Sequence, residues 1–148
     1  MRVLVLALAV LALAACGGDD ESTEARWGGP PRPGPDGAVA VEAFDEHLDT
    51  VDEPWERSPL PVAVEFLRVD EREPTAATVD VDLAPEGATT GTVTATFENL
   101  LDDSVRDARY TLELERREDG TWRVAAARYA QRCRPGRGHE DFTPELCV

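Results

Sequence analysis

The chain has 148 residues, of which 30 are Asp or Glu and 15 are Lys or Arg, for a formal net charge of −15. This length accommodates one folded domain. The charge is uneven, because residues 19–103 hold 22 acidic residues and 5 arginines whereas residues 104–148 hold 8 and 9. An acidic surface argues against nucleic-acid binding, which requires basic side chains that neutralise phosphates, and against a polybasic contact with anionic lipid.

The first sixteen residues have the features of an export signal. Arg2 gives a short positive start, residues 3–13 form an unbroken apolar run, and the small residues of the segment LAAC (13–16) precede a polar stretch. This order is typical of a secretory signal, and the run is shorter than the roughly 20 residues of a membrane-spanning helix.

The segment LAAC resembles the lipobox of bacterial lipoproteins. The resemblance implies that residues 1–15 are removed and that Cys16 carries a diacylglyceryl thioether. The mature chain would then be anchored through this lipid on the extracytoplasmic side of a bacterial membrane. The alternative is an ordinary secretory signal followed by an incidental cysteine.

The segment after Cys16 is rich in Gly, Pro and acidic residues and poor in aliphatic ones as far as Gly37. Such a composition cannot bury enough apolar surface to offset the entropy lost on ordering. We therefore expect the lipidated cysteine and a disordered tether over residues 16–37, followed by a single domain over residues 38–148.

Helical periodicity marks the start of this domain. Four apolar residues with a 3-4-3 spacing share one face of a predicted helix: Val41, Phe44, Leu48 and Val51. We expect His47 to pack beside this face and Pro54 to end the helix. Ser58 and Pro59 then suit an N-cap and a first helical turn. A second helix over residues 59–69 is favoured, although a strand fits the same residues.

The later chain shows the period-two alternation of half-buried strands. Four segments follow this pattern: residues 79–83, 93–97, 105–116 and 121–132. The predicted class is therefore α+β, with one or two helices covering one face of a four-stranded antiparallel meander. This order of elements resembles the cystatin-like and nuclear-transport-factor-2-like folds.

The last two strands are joined through Glu118-Asp119-Gly120. A three-residue loop with Gly120 in a bulge keeps the apolar residues on one face, whereas a two-residue loop would divide them between both faces. The pairs expected from the three-residue loop are Leu114 with Val124, Leu112 with Ala126, Glu115 with Arg123, and Arg109 with Tyr129.

Three C-terminal segments occur together: LLDDSVRDARY (100–110), GTWRV (120–124) and RCRPGRGHEDFTPELC (132–147). They resemble an uncharacterised family of exported bacterial proteins. Since no activity is assigned to that family, the resemblance implies export and no particular function.

With Cys16 lipidated, Cys133 and Cys147 remain as a pair in a compartment that permits disulfides. A bridge would close a loop of roughly 15 residues and stabilise the domain by about 3 kcal/mol. A zinc site of Cys133, His139 and Cys147 is the alternative, but it lacks an obvious fourth ligand and the short spacing of zinc motifs. No metal and no cofactor is expected.

The candidate binding residues lie where the charge reverses. Arginine recognises carboxylate and phosphate groups with paired hydrogen bonds. If the C-terminal loop folds back over residues 101–106, its basic groups can pair with nearby acids, among them Glu140 and Asp141, as a structural network; alternatively, they can face an anionic ligand. The residues concerned are Arg106, Arg109, Arg132, Arg134, Arg137, His139, Asp102 and Asp103.

Catalysis has little support. His139 precedes Glu140 and Asp141 and could serve as a general base, but the sequence has no G-x-S-x-G elbow, and Ser104 sits in a turn-like setting. We assign no catalytic residue and expect a non-catalytic module that binds an envelope protein or a small anionic ligand. The alternative is a small-molecule binder or enzyme with a cone-shaped cavity between helix and sheet.

Overall fold

The computed structural model describes residues 27–72, 76–83 and 87–148. The predicted signal, Cys16 and the first part of the tether lie outside these residues. In chain order the elements are β1 (Ala38–Val39), α1 (Glu42–Leu48), α2 (Pro59–Leu67), β2 (Ala76–Leu83), β3 (Thr90–Glu98), β4 (Val105–Arg116) and β5 (Trp122–Cys133), with 3-10 turns at Pro54–Arg57 and Val69–Glu71. The predicted mixture of helix and antiparallel sheet is confirmed.

The described strands form one antiparallel sheet of five, in the order β1-β5-β4-β3-β2. Strands β2 to β5 are the predicted meander, and β1 adds a fifth strand that pairs Ala38 with Arg128. The prediction of four strands is therefore wrong, because a two-residue strand is too short to show periodicity. The cystatin-like or nuclear-transport-factor-2-like arrangement is also wrong, since this five-stranded sheet carries two short helices of 7 and 9 residues.

The core lies between the two helices and one face of the sheet, which we call the helix-side face. Phe44 from α1 and Phe66 from α2 are fully buried and meet edge to face, with ring centroids 5.1 Å apart. They pack over the inward residues of the central strands. These inward residues include Val93, Phe97, Leu112, Leu114 and Val124.

The ends of the helices depend on local hydrogen bonds. Helix α1 ends at Leu48, earlier than its apolar spacing suggested, and the Thr50 hydroxyl donates to the His47 carbonyl at 2.7 Å. Helix α2 is confirmed as a helix that begins at Pro59. It ends at Leu67, and Arg68 follows as the C-cap with φ 49° in the left-handed region.

Strand β2 is an outer strand of the sheet, and its apolar residues are less buried than their alternation predicted. Val81 and Leu83 are 37% and 46% exposed. Their register partners are Val93 and Gly91 on β3. Periodicity correctly predicted that these side chains share one face. They are exposed because the helices do not cover β2 as they cover the central strands.

The three-residue loop between β4 and β5 is confirmed. Gly120 has φ 89°, and Leu114 pairs with Val124 as expected. A bulge opposite Glu113 and Leu114 then shifts the register by one residue. The other observed pairs are Glu115 with Arg123, Leu112 with Ala127, Tyr110 with Tyr129, and Arg109 with Ala130. The expected pairings of Leu112 with Ala126 and Arg109 with Tyr129 are therefore wrong, and the bulge turns Tyr129 to the helix-side face.

Residues 27–37, which the composition placed in the tether, contact the domain. The Trp27 ring lies 5.1 Å from Phe44 and 6.2 Å from Phe66, between centroids, and its indole nitrogen donates to the Phe66 carbonyl at 3.0 Å. The Tyr129 amide donates to the Gly37 carbonyl at 2.7 Å. The packed part of the chain thus extends to Trp27. None of the helices in the described ranges has the length and hydropathy of a membrane span.

Candidate functional site

The C-terminal loop is closed by a disulfide between Cys133 and Cys147, whose Cα atoms are 5.5 Å apart. The bridge predicted from the cysteine count is confirmed. Cys133 is fully buried at the end of β5. Between the two cysteines the loop returns to the sheet, where Gln131 and Thr143 exchange backbone hydrogen bonds of 2.8 and 3.1 Å.

The C-terminal loop folds back over the connection between β3 and β4, which the interpretation of its arginines as a structural network required. The Arg134 guanidinium donates to the backbone oxygens of Leu100 and Asp102, at 2.7 Å each. The Ser104 hydroxyl donates to the Val148 carbonyl at 3.0 Å. Arg134 therefore contacts backbone oxygens instead of the carboxylates that we expected it to meet.

The Asp102 carboxylate organises this turn. It accepts hydrogen bonds from the amides of Val105 at 2.6 Å and Ser104 at 2.8 Å. These two bonds hold the pKa of the Asp102 carboxyl below its usual value, with a further contribution from Arg134. Asp103 is exposed.

His139 cross-links the loop. Its Nδ1 lies 2.8 Å from the Asp141 carbonyl and its Nε2 lies 2.9 Å from the Glu145 carbonyl. Since a carbonyl oxygen can only accept, both ring nitrogens must donate, which requires the imidazolium form. The carbonyls of Glu145 and Asp141 accordingly raise the pKa of His139.

These contacts do not form a catalytic triad, because the Ser104 hydroxyl and the His139 ring donate to separate backbone carbonyls. The zinc-type donors of Cys133, His139 and Cys147 do lie within 4.8 Å of one another. Zinc binds cysteine as the thiolate, and here the two sulfurs are bonded to each other. The described residues therefore do not offer this site as a metal centre in the oxidised protein.

Asp107 is the site residue that sequence reasoning missed. It is 3% exposed. Its Oδ2 accepts a hydrogen bond from Arg106 Nε at 2.8 Å and forms an ion pair with Arg132 Nη2 at 2.9 Å. Its Oδ1 accepts from the backbone amide of Asn99 at 3.0 Å. Burial alone would raise the pKa of the carboxyl, but the hydrogen bonds from Asn99 and Arg106 and the positive charge of Arg132 outweigh it and lower the pKa. A register shift between Val105 and Asp107 places it here, and the sequence carries no marker of that shift.

Two arginine side chains gather around Phe142, which comes from the C-terminal loop. The guanidinium carbon of Arg109 lies 3.9 Å from the ring centroid and that of Arg132 lies 4.4 Å from it. Arg109 also donates to the Thr96 hydroxyl at 3.2 Å. The buried Nε of Arg132 has no hydrogen-bond partner among the described atoms.

Arg128 extends this group on the face of the sheet opposite the helices, which we call the open face. It is exposed and pairs in register with Thr111. A depression of about 330 Å³ lies here. Its lining includes Asp36, Arg109, Thr111, Arg128, Tyr129 and Pro144. We refer to Arg106, Arg109, Arg128 and Arg132 together as the arginine cluster.

The predicted site residues thus divide into two groups. Arg134, His139 and Asp102 hold the C-terminal loop, whereas Arg106, Arg109 and Arg132 belong to the arginine cluster. Arg137 is exposed, and its backbone oxygen accepts a hydrogen bond from the Val148 amide at 2.8 Å.

Comparison with known proteins gave no assignment: no family profile, no curated protein and no solved structure shows a significant match to this chain. The resemblance of the C-terminal segments to an exported bacterial family therefore stays a prediction.

Proposed function

We propose that this protein is a lipid-anchored, extracytoplasmic, non-catalytic binding module that recognises carboxylate or phosphate groups at the arginine cluster. The ligand is a small anion or an acidic segment of an envelope protein. The observation that supports this proposal is the imbalance of charge in the cluster. Of its four guanidinium groups, those of Arg106 and Arg132 pair with one buried carboxylate, Asp107. Asp36 is the acid that lines the adjoining depression, in a chain whose formal net charge is −15.

Arg68 is an example of an arginine with a structural role in this domain. Arg68 is 4% exposed and forms ion pairs with Glu65, Asp70 and Glu71, at 2.8, 3.7 and 2.6 Å. These three acids satisfy its charge locally. In contrast, Arg109 and Arg128 have no carboxylate partner within the ranges that the structure describes. Acidic residues outnumber basic ones two to one in this chain, so two unpaired guanidinium groups on one surface favour an external anion as their partner.

Arg109 is also held in position before any ligand binds. Its stacking on Phe142 and its hydrogen bond to Thr96 restrict the side chain. A restrained arginine loses less conformational entropy on binding than a free one. Its planar guanidinium can then form paired hydrogen bonds with a carboxylate or phosphate.

Anion binding can be measured with inorganic phosphate and citrate as probes, by titration calorimetry at low salt. We expect saturable binding that weakens as salt is added. Arg109→Gln and Arg128→Gln should each weaken it about fivefold or more, as expected for loss of a charge-assisted hydrogen bond.

Arg116→Gln is the matched control, because Arg116 is an exposed arginine at the other end of β4, away from the cluster. It should leave binding of both probes unchanged. Absence of saturable binding, or an equal loss in Arg116→Gln, would overturn the arginine cluster as a binding site.

The anchor rests on the LAAC segment and requires its own test. Cys16→Ser should move the protein from the membrane fraction to the soluble fraction of the cell envelope. Cys133→Ser removes a cysteine of the disulfide and should leave the protein in the membrane fraction. Membrane retention of Cys16→Ser would contradict the proposal of a lipid anchor.

A further inference from the structure

A second groove adjoins the depression beside the arginine cluster and shares Tyr129 and Pro144 with it. Its tyrosine rings lie on the helix-side face of the sheet. The volume of the groove is about 780 Å³, within the usual range of sites for small organic ligands. Tyr110, Tyr129 and Gln131 line it from the sheet. In register these residues continue the face that carries Leu112 and Ala127, whereas Arg109 and Arg128 lie on the open face.

Two mostly apolar walls flank this open groove, and Arg32 also lines it. Pro33 and Pro35 come from the segment that precedes β1, and Pro144 and Leu146 come from the C-terminal loop. Leu146 is 83% exposed, although it lies in a loop closed by a disulfide. Prolines and a leucine beside tyrosine rings make a surface suited to a flat apolar group.

The walls and the tyrosine rings are held in place by the surrounding structure. The rings of Tyr110 and Tyr129 meet edge to face at 5.0 Å, and the guanidinium of Arg72 lies 4.9 Å from the Tyr110 centroid. The Glu145 carbonyl, beside the loop wall, accepts from Gln131 Nε2 at 2.7 Å and contacts His139 Nε2 at 2.9 Å. Because its walls are already ordered, such a site loses little conformational entropy when it binds a ligand.

The Tyr129 hydroxyl determines the polarity that a ligand must have. Its proton is donated to Gln131 Oε1 at 2.8 Å, so its oxygen is left as an acceptor. Burial, together with the neighbouring Tyr110, raises the pKa of Tyr129 to about 12, so the hydroxyl stays protonated at physiological pH. A ligand that meets this oxygen must therefore supply the donor.

We infer that the groove binds a small molecule with a planar apolar ring that carries an O–H or N–H donor directed at the Tyr129 oxygen. The ring would lie between the proline wall and the loop wall. This class of ligand fits the volume of the groove, its tyrosine and proline lining, and the Tyr129 oxygen that can accept a hydrogen bond. The inference does not rest on the anionic ligand of the arginine cluster, because the tyrosine rings lie on the helix-side face and Arg109 and Arg128 on the open face, although Tyr129 and Pro144 line both depressions.

Indole and 1-methylindole are suitable probes, because they share the ring and only indole has the N–H donor. We expect NMR titration of the folded domain to show saturable shifts at groove residues and tighter binding of indole. Tyr129→Phe should weaken indole binding about three- to tenfold, as expected for one hydrogen bond, and leave 1-methylindole unchanged.

Leu146→Ser tests the loop wall and should weaken both probes. Leu101→Ser is its control, since Leu101 is 84% exposed and Leu146 is 83% exposed, and Leu101 does not line this groove. The inference is overturned if indole gives no saturable shifts, if Tyr129→Phe weakens both probes equally, or if Leu101→Ser weakens them as much as Leu146→Ser. Retention of indole binding in Arg109→Gln would show that the two sites are independent.

Discussion

Asp107 and Arg132 face each other across β4 and β5, with 2.9 Å between Oδ2 of the carboxylate and Nη2 of the guanidinium. The same oxygen accepts from Arg106 at 2.8 Å. The carboxylate is almost completely buried, while the two arginine side chains are 29% and 32% exposed. One acid thus joins the β3–β4 connection to the arginine cluster.

Asp107→Asn should destabilise the domain, because it leaves two partly buried guanidinium groups without their counter-charge. We expect a loss of about 3 kcal/mol in the free energy of unfolding, measured by urea denaturation. Asp103→Asn removes an exposed acid from the neighbouring turn and should stay within about 0.5 kcal/mol of the parent. Equal stability of the two variants would show that Asp107 does not anchor this region.

Removal of the disulfide should lower stability by about 3 kcal/mol, the value for a loop of this size. Cys147→Ala tests this with little disturbance, because Cys147 is only partly buried, whereas Cys133 is fully buried. A reductant should lower the melting temperature of the parent and leave that of Cys147→Ala unchanged. A parent protein that melts at the same temperature in the oxidised and reduced forms would contradict a stabilising bridge.

His139 should make the stability of the C-terminal loop depend on pH. Its pKa in the folded protein is raised above the unfolded value of roughly 6.5. The imidazolium therefore contributes its full stabilisation below that unfolded value, and the contribution is lost as the pH rises through the folded pKa.

Comparison of the parent with His139→Gln measures this effect directly. The difference in melting temperature between the two proteins should be largest in mildly acidic solution and should shrink as the pH rises. A difference that stays constant over this range would show that the histidine acts by packing and not through its charge.

Trp27→Ala tests whether the domain begins before Ala38. Loss of a partly buried indole that contacts Phe44 and Phe66 should cost about 2 kcal/mol or more in the free energy of unfolding. Arg32→Ala changes an exposed residue of the same segment and should have little effect. If Trp27→Ala is as stable as Arg32→Ala, the indole contributes nothing to the core.

Local periodicity was sufficient for much of this fold. The bounds of β4, the helical state of residues 59–67 and the three-residue loop at Gly120 all agree with patterns that neighbouring residues define. The pairing of Cys133 with Cys147 followed from counting cysteines once Cys16 was set aside. Each of these features depends on residues that are close in sequence or on a choice with few alternatives.

The candidate sites were predicted less completely. The basic C-terminal region was recognisable from composition, but its division into a loop network and an arginine cluster was not. Asp107 and Tyr129 take their positions from register shifts in the pairing of β4 with β5. A one-residue shift changes the face on which every later side chain lies, and no local pattern in the sequence marks these shifts.

By itself, therefore, the sequence determined the class of fold, the disulfide, most strand and helix positions, and the hypothesis of export with a lipid anchor. Only the tertiary structure decided that Trp27 joins the core, that β1 completes the sheet, and that Tyr110 and Tyr129 lie on the face of the sheet opposite Arg109 and Arg128. The physical reason is the range of the interactions. Helix and strand periodicity are set by adjacent residues, whereas the contact of Trp27 with Phe66 spans 39 positions of the chain.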